Sequence, residues 1–231
     1  MEQHLTRTTA IMVDGGYYRV RSRTLWGNLS ATDRAQELYD YCMLHITQPT
    51  EPRDLYRIFY YDCPPMTRTI KHPLTQKDID YSTMPGTKWS KEFFGKLLDK
   101  RKVALRMGEL AENTANFVIK DAVLSDLLAK KKSIDDLKED DFRIDVKQKG
   151  VDMRIGLDVA SLAQGHFVNQ IVLIAGDSDF LPVVKMARKN GIDVLLDPMK
   201  QFPKRNMQEH VDGIESFTDL MHPVSAPVAT T

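Results

Sequence analysis

The chain has 231 residues, and its 32 Lys and Arg balance 32 Asp and Glu for a formal net charge of zero. That length fits one large domain or a domain with a sizeable insertion. The neutral balance gives the molecule no overall field toward nucleic acid or membrane, so local patches must carry any such attraction. Its two cysteines, Cys42 and Cys63, have neither CxxC spacing nor paired histidines nearby, which argues against structural zinc and against a disulfide framework. With no apolar signal core and no run approaching a membrane span, the expectation is a cytoplasmic protein that does not enter membranes.

Residues 1–8 are polar and are expected to be flexible. Thr9 to Val13 is a short apolar run ending in Asp14-Gly15-Gly16, which predicts a first strand with a carboxylate at its carboxyl end. Tyr17 to Leu29 is basic and aromatic and predicts an irregular segment or a short helix. Thr32 or Asp33 is placed to cap a helix through His45. Leu55 to Tyr61 reads as the second strand, stopped by Asp62-Cys63-Pro64-Pro65. The stretch 62–148 reads as an insertion. It holds a turn-rich connection, a helix from about Ser90 to Arg101, a strand from Val103 to Leu110, a helix from Phe117 to Lys132, and a strand from Phe142 to Lys147.

Gly150-Val151-Asp152 opens a helix that runs to Ala163, with enough apolar positions to bury much of its circumference. Ile171 to Ala175 follows, five apolar residues in a row, as suits a strand covered on both faces. Gly176-Asp177-Ser178-Asp179 makes the turn, with Ser178 or Asp179 as the cap of the next helix and Pro182 in its first turn. Asn190-Gly191 ends that helix, and Ile192 to Leu196 is a further strand. A short helix is expected over Asn206 to Val211, and residues 218–231 are expected to be disordered. The alternation predicts an α/β fold over 9–217: three layers, with helices on both faces of a central, mostly parallel sheet.

Carboxylates therefore fall at strand ends or helix starts in three places: Asp14, Asp152, and the pair Asp177 and Asp179. Parallel strands gather their carboxyl ends on one edge, where open α/β sheets bind ligands. Four carboxylates near one another repel unless protonated or bound to a cation, and oxygen-rich sites suit Mg2+ or Mn2+. Each aspartate taken alone has a plainer reading as a turn residue, a helix cap, or a charge favoured by the helix dipole. Asp158 lies about 240° round the helix from Asp152 and reads as a buried structural partner.

Taken together, Met12-Val13-Asp14-Gly15-Gly16-Tyr17, Lys149-Gly150-Val151-Asp152 through Asp158, and Ala175-Gly176-Asp177-Ser178-Asp179-Phe180 with Gly191 resemble the NYN domain family of PIN-like nucleases. Tyr60-Tyr61-Asp62-Cys63-Pro64-Pro65 resembles the longer bacterial members. The resemblance implies a Rossmann-like sandwich, an aspartate cluster binding Mg2+ or Mn2+, and RNA cleavage. By position it assigns Asp14, Asp152, Asp177 and Asp179 as catalytic and metal-binding residues. Many members carry Asn three residues after the first Asp, where this chain has Tyr17.

Lys149 and Ser178 are candidate substrate contacts beside those aspartates. So are Tyr17 and Arg19, from a stretch that also holds Arg21, Arg23, Tyr18 and Trp26, since basic and aromatic residues interleaved suit single-stranded nucleic acid. The plainer reading is a surface lysine and a loop whose aromatics pack inward. Lys200, Lys204 and Arg205 would continue a basic rim. A metal-dependent ribonuclease is the leading reading, acting on single-stranded or structured RNA. The alternative is a non-catalytic RNA-binding or regulatory protein on the same fold, with a homodimer as one assembly. A haloacid-dehalogenase phosphatase is disfavoured because Gly16 stands where its second Asp would be. A dinucleotide-binding enzyme is disfavoured because no GxGxxG follows the first strand.

Overall fold

The computed structural model describes residues 6–176 and 178–221. In chain order the elements begin with β1 (Arg7–Asp14), α1 (Gly15–Trp26), α2 (Ala31–Thr47), β2 (Arg53–Asp62), β3 (Thr69–Lys71), β4 (Asp78–Asp80), α3 (Pro85–Leu98) and β5 (Val103–Met107). There follow β6 (Glu109–Leu110), β7 (Asn116–Ile119), α4 (Asp121–Leu128), β8 (Phe142–Asp145), β9 (Gln148–Lys149) and α5 (Val151–Gln164). The rest comprises β10 (Gln170–Ile174), α6 (Leu181–Lys189), β11 (Asp193–Asp197), α7 (Arg205–Gln208), β12 (Gly213–Ile214) and α8 (Thr218–Met221). None of the described helices is long and apolar enough to cross a membrane.

Six strands form one parallel sheet in the order β12-β11-β10-β1-β2-β5. Renumbered within the sheet, this is the doubly wound order whose direction of winding reverses beside the first strand, and ligands bind in the crevice at that reversal. Here the reversal lies between β1 and β10, paired from Thr9↔Gln170 to Val13↔Ile174. Ala10 to Val13 and Ile171 to Ile174 are all buried, as central parallel strands must be. Side chains alternate across the sheet. Met12, Phe59, Tyr61, Ile171 and Leu173 join one apolar cluster with Ile155 and Val159 of α5 and Val184 of α6. Tyr60 turns to the opposite face and meets Phe93 and Phe94 of α3, with ring centroids 5.6 and 6.2 Å away. Each such side chain contributes roughly 1.5–3 kcal/mol by leaving water, so the two clusters fix the sheet between helical layers.

The chain falls into two compact units. The first holds Met1–Asp62, Glu92–Met107 and Gly150–Thr231, and the second holds Cys63–Lys91 and Gly108–Lys149. The stretch 62–148 is thus not a single insertion: β5 within it is an edge strand of the central sheet. In the second unit, β3 pairs with β4, β6 with β9, and β7 with β8, all antiparallel. His72 is buried there between the rings of Phe117 and Phe142, at 4.7 and 5.1 Å, while its Nδ1 accepts from the Leu74 and Thr75 amides.

Several local expectations are corrected. Phe117-Val118-Ile119 is strand rather than helix, because it finds a ladder partner in β8, too distant in sequence to show in local periodicity. Gly108 splits the expected strand Val103–Leu110 into β5 and β6. The segment after Asp14 is a regular helix of 12 residues, begun by the Asp14 carboxylate accepting the Tyr17 amide and ended at Gly27, where φ is +79°. Ser30, not Thr32 or Asp33, caps α2. Helix α5 leaves Met153 and Leu157 exposed and buries only one stripe. Residues 218–221 are helical rather than disordered, and the remainder of the expected tail, with the first five residues, lies outside the described residues.

Candidate active site

Asp14 is the last residue of β1, at the winding reversal, and its half-buried carboxylate accepts the Tyr17 amide at 3.1 Å. Gly15 follows because nothing larger fits. A Cβ there would lie 2.5 Å from the Tyr60 ring and 2.7 Å from Asp62 Oδ2. Burial, together with the negative charges of Asp62 and Asp152, raises the Asp14 pKa above the usual carboxylate value, against the lowering effect of the Tyr17 and Gly16 amides. Asp14 and Asp152 therefore feel one another across the sheet edge, Asp152 standing exposed in the first turn of α5. Among the described residues no cation pairs with either one.

Asp179 is exposed on the 3-10 turn Ser178–Phe180 that joins β10 to α6. Asp177 and the Ser178 side chain lie outside the described residues. Among the described residues no three His, Cys, Asp or Glu side chains converge as ligands of one ion. Lys149 is exposed in β9 of the second unit, opposite Glu109 of β6.

The basic and aromatic residues of α1 hold the edge together. Arg19 makes a two-pronged ion pair with Asp62, at 2.8 and 3.1 Å, and Tyr60 donates to the same carboxylate at 3.1 Å. The Asp62 side chain is only 1% exposed, so losing Arg19 would take a balancing cation from a charge in a dry environment. Burial and Asp62 push the Tyr60 hydroxyl well above its usual pKa, which keeps it a donor. Tyr17 lays its ring against Gly176, and its hydroxyl donates to the Pro198 carbonyl at 2.6 Å. Burial foremost pushes that hydroxyl up to about 12. Arg21 donates twice to the Met199 carbonyl, at 2.7 and 3.2 Å. Tyr17, expected as a substrate contact, thus bridges the crevice from α1 past β10 to the segment after β11.

Two further aspartates at strand ends went unread in the sequence. Asp62 ends β2 beside Asp14, and Asp197 ends β11. The signal was present, since each follows an apolar run as Asp14 does, but neither is followed by glycine. Asp197 is fully buried and accepts from Tyr41, from His45 Nε2 at 2.8 Å and from the Met199 amide at 2.8 Å, so it is structural. Asp158 is held by the Tyr61 hydroxyl and Arg106 Nε, each at 2.8 Å.

The half-buried Asp14 carboxylate and the exposed Asp152 carboxylate are oxygen donors of the kind that fit a hard divalent ion. Such an ion takes one or two carboxylates and completes its shell with water and phosphate oxygens.

The family model of the NYN domain matches residues 78–212. That stretch contains Asp152, Asp177 and Asp179 and begins after Asp14, whose strand β1 pairs with β10 inside the matched region. No curated protein matches the chain. With more than half its length matched, and with a central parallel sheet between helices, this chain belongs to the NYN domain family and has its PIN-like nuclease fold.

Proposed function

We propose that this protein is a metal-dependent ribonuclease that hydrolyses phosphodiester bonds of single-stranded or structured RNA, acting in the cytoplasm. The observation that carries the proposal is the Asp14 carboxyl group: it sits at the winding reversal of the sheet, beside two other aspartates, with its pKa raised by burial and by their charge. Asp14, Asp152, Asp177 and Asp179 are the residues that would hold Mg2+ or Mn2+. When bound, the ion supplies Lewis-acid chemistry, polarising water and offsetting charge on the phosphodiester. Asp14 serves as a half-buried acidic group of the set, its orientation fixed by the Tyr17 and Gly16 amides. Arg19 neutralises Asp62 and so limits the repulsion that Asp14 must withstand. Ser178, Lys149, Tyr17 and Arg19 are proposed to face the RNA, the last two through the parts of their side chains that their partners leave accessible.

The test is cleavage of a labelled single-stranded RNA with Mg2+ or Mn2+ by wild type, Asp14→Asn and Asp177→Asn. Cleavage by wild type alone supports the reading. Equal cleavage by all three, or none by wild type at high enzyme, defeats it.

A second reading is a non-catalytic RNA-binding protein, as a monomer or homodimer. Tyr17 favours it, since its ring fills the space over Gly176 at the position where many members carry Asn. RNA binding with no metal-dependent cleavage, unchanged in Asp177→Asn, distinguishes it, and sizing by light scattering gives the assembly.

A further inference from the structure

We infer that Phe202 is a base-stacking platform for single-stranded RNA at the rim of the candidate active site, an inference that rests on the RNA-directed reading above. Phe202 is 96% exposed, the most exposed of the large apolar residues described. Its segment is nonetheless tightly anchored. The Met199 amide donates to Asp197 Oδ1 and the Gln201 amide to the Pro198 carbonyl, both at 2.8 Å. Arg21 and Tyr17 grip the Met199 and Pro198 carbonyls from α1. On the far side, Gln208 Nε2 donates to the Pro203 carbonyl at 2.8 Å. The backbone also takes up left-handed conformations at Met199 and Lys200, with φ +43° and +62°, which two non-glycine residues adopt only under such restraint. A ring held into water by a fixed backbone is set for a partner with a flat apolar face.

Charge says which partner. Lys200, Lys204 and Arg205 flank Phe202 within three residues in the chain, and all are exposed. Lys200 pairs with Asp219, and Arg205 with Glu209 at 2.9 Å. Exposed pairs of this kind are weak and yield readily to a phosphate. An aromatic face flanked by exchangeable cations matches unstacked bases on a charged backbone and is sequence-tolerant, because every base has a π-face. A duplex keeps its bases stacked and offers none. Position places the platform on the catalytic edge: the segment leaves the carboxyl end of β11, and Phe202 is four residues beyond Pro198, whose carbonyl accepts the hydroxyl of Tyr17, while the Tyr17 amide donates to Asp14. Four residues span at most about 14 Å.

The test is binding of a short labelled single-stranded RNA, by fluorescence anisotropy in EDTA and again with Mg2+ in the cold, for wild type, Phe202→Ala and Phe202→Trp. The same proteins are titrated with a duplex RNA. Phe202→Ala should lose ~5- to 100-fold in single-strand affinity and change little on duplex, with its melting temperature unmoved. Phe202→Trp should bind like wild type and show indole quenching on addition of the single strand. In cleavage assays Phe202→Ala should raise KM and leave kcat nearly unchanged. Wild type that binds and cleaves RNA, with Phe202→Ala equal to it on single strands, overturns the platform alone. Wild type that neither binds nor cleaves RNA overturns the functional reading and the platform with it.

Discussion

Tyr17 and Gly176 are in direct contact across the winding reversal: a Cβ built on Gly176 would lie 2.1 Å from the Tyr17 ring. Glycine is required here by the neighbour rather than by the backbone angle. Gly176→Ala is expected to destabilise the protein by about 1–3 kcal/mol as the ring is forced aside. In a Tyr17→Ala background the same substitution should cost much less. A double-mutant cycle from urea unfolding reads that coupling directly. A Gly176→Ala penalty of equal size in both backgrounds would show that something other than the ring resists the methyl group.

Arg19 pairs with Asp62 where the carboxylate is closed to water. Arg19→Met removes the cation and leaves the carboxylate buried, which costs on the order of 2–3 kcal/mol once the partial exposure of Arg19 is discounted. Asp62→Asn added to Arg19→Met should recover most of that loss, since the stranded charge is gone. Thermal unfolding of the single and double variants decides it. No recovery in the double variant would place the role of Arg19 in packing rather than charge.

His45 stands between two carboxylates, with Nε2 2.8 Å from Asp197 and Nδ1 3.7 Å from Glu215. Burial opposes its protonation, but the hydrogen bond to Asp197 and the nearby Glu215 carboxylate prevail and raise its pKa above 6.5. The stability it contributes is therefore fully present below about pH 6.5 and is lost as pH rises through the higher folded value. Glu215 works in the opposite direction. Burial would raise its pKa, yet His45 and Arg53 hold it below 4.5, so its contribution is present above that pH and lost as pH falls through the lowered folded value. The melting temperature should fall on the alkaline side of pH 6.5, and His45→Gln should flatten that limb. An unchanged alkaline limb in His45→Gln would assign the loss to other groups.

Asp14 is ionised at a cost in stability. Its folded pKa is raised, so the native state binds the proton more tightly, and the ionised group subtracts stability as pH climbs from 3.8 through the raised value. Asp14→Asn retains a side-chain oxygen to cap α1 and removes the charge. It should melt higher than wild type at neutral pH while losing more than the ~10- to 100-fold that removal of a supporting residue costs a metal site. Added Mg2+ should raise the melting temperature of wild type and leave that of Asp14→Asn nearly fixed. A variant that melts lower than wild type would mean that the capping carboxylate matters more than its repulsion.

Much of the central sheet was legible because its strands are long apolar runs, and such runs reflect burial on both faces whatever their partners. The second unit was not. Its strands are two to four residues long and are stabilised by ladders to distant segments, as with Phe117–Ile119 against Phe142–Asp145. Asp14, Asp152 and Asp179 were singled out because each lies within three residues of a glycine at an element boundary. Asp62 lacks that mark, and its role depends on Arg19, 43 positions away in sequence.

By itself the amino-acid sequence determined the layered α/β class, the order of its principal elements and the aspartates at their ends. Those follow from periodicity and capping, which act within a few residues. Only the tertiary structure decided that Asp14 lies within reach of the charges of Asp62 and Asp152, and that Tyr17, Arg19 and Arg21 grip Pro198, Asp62 and Met199. A side chain's electrostatics are set by what approaches it through space. At this edge the approaching groups come from strands brought side by side only by the winding of the sheet.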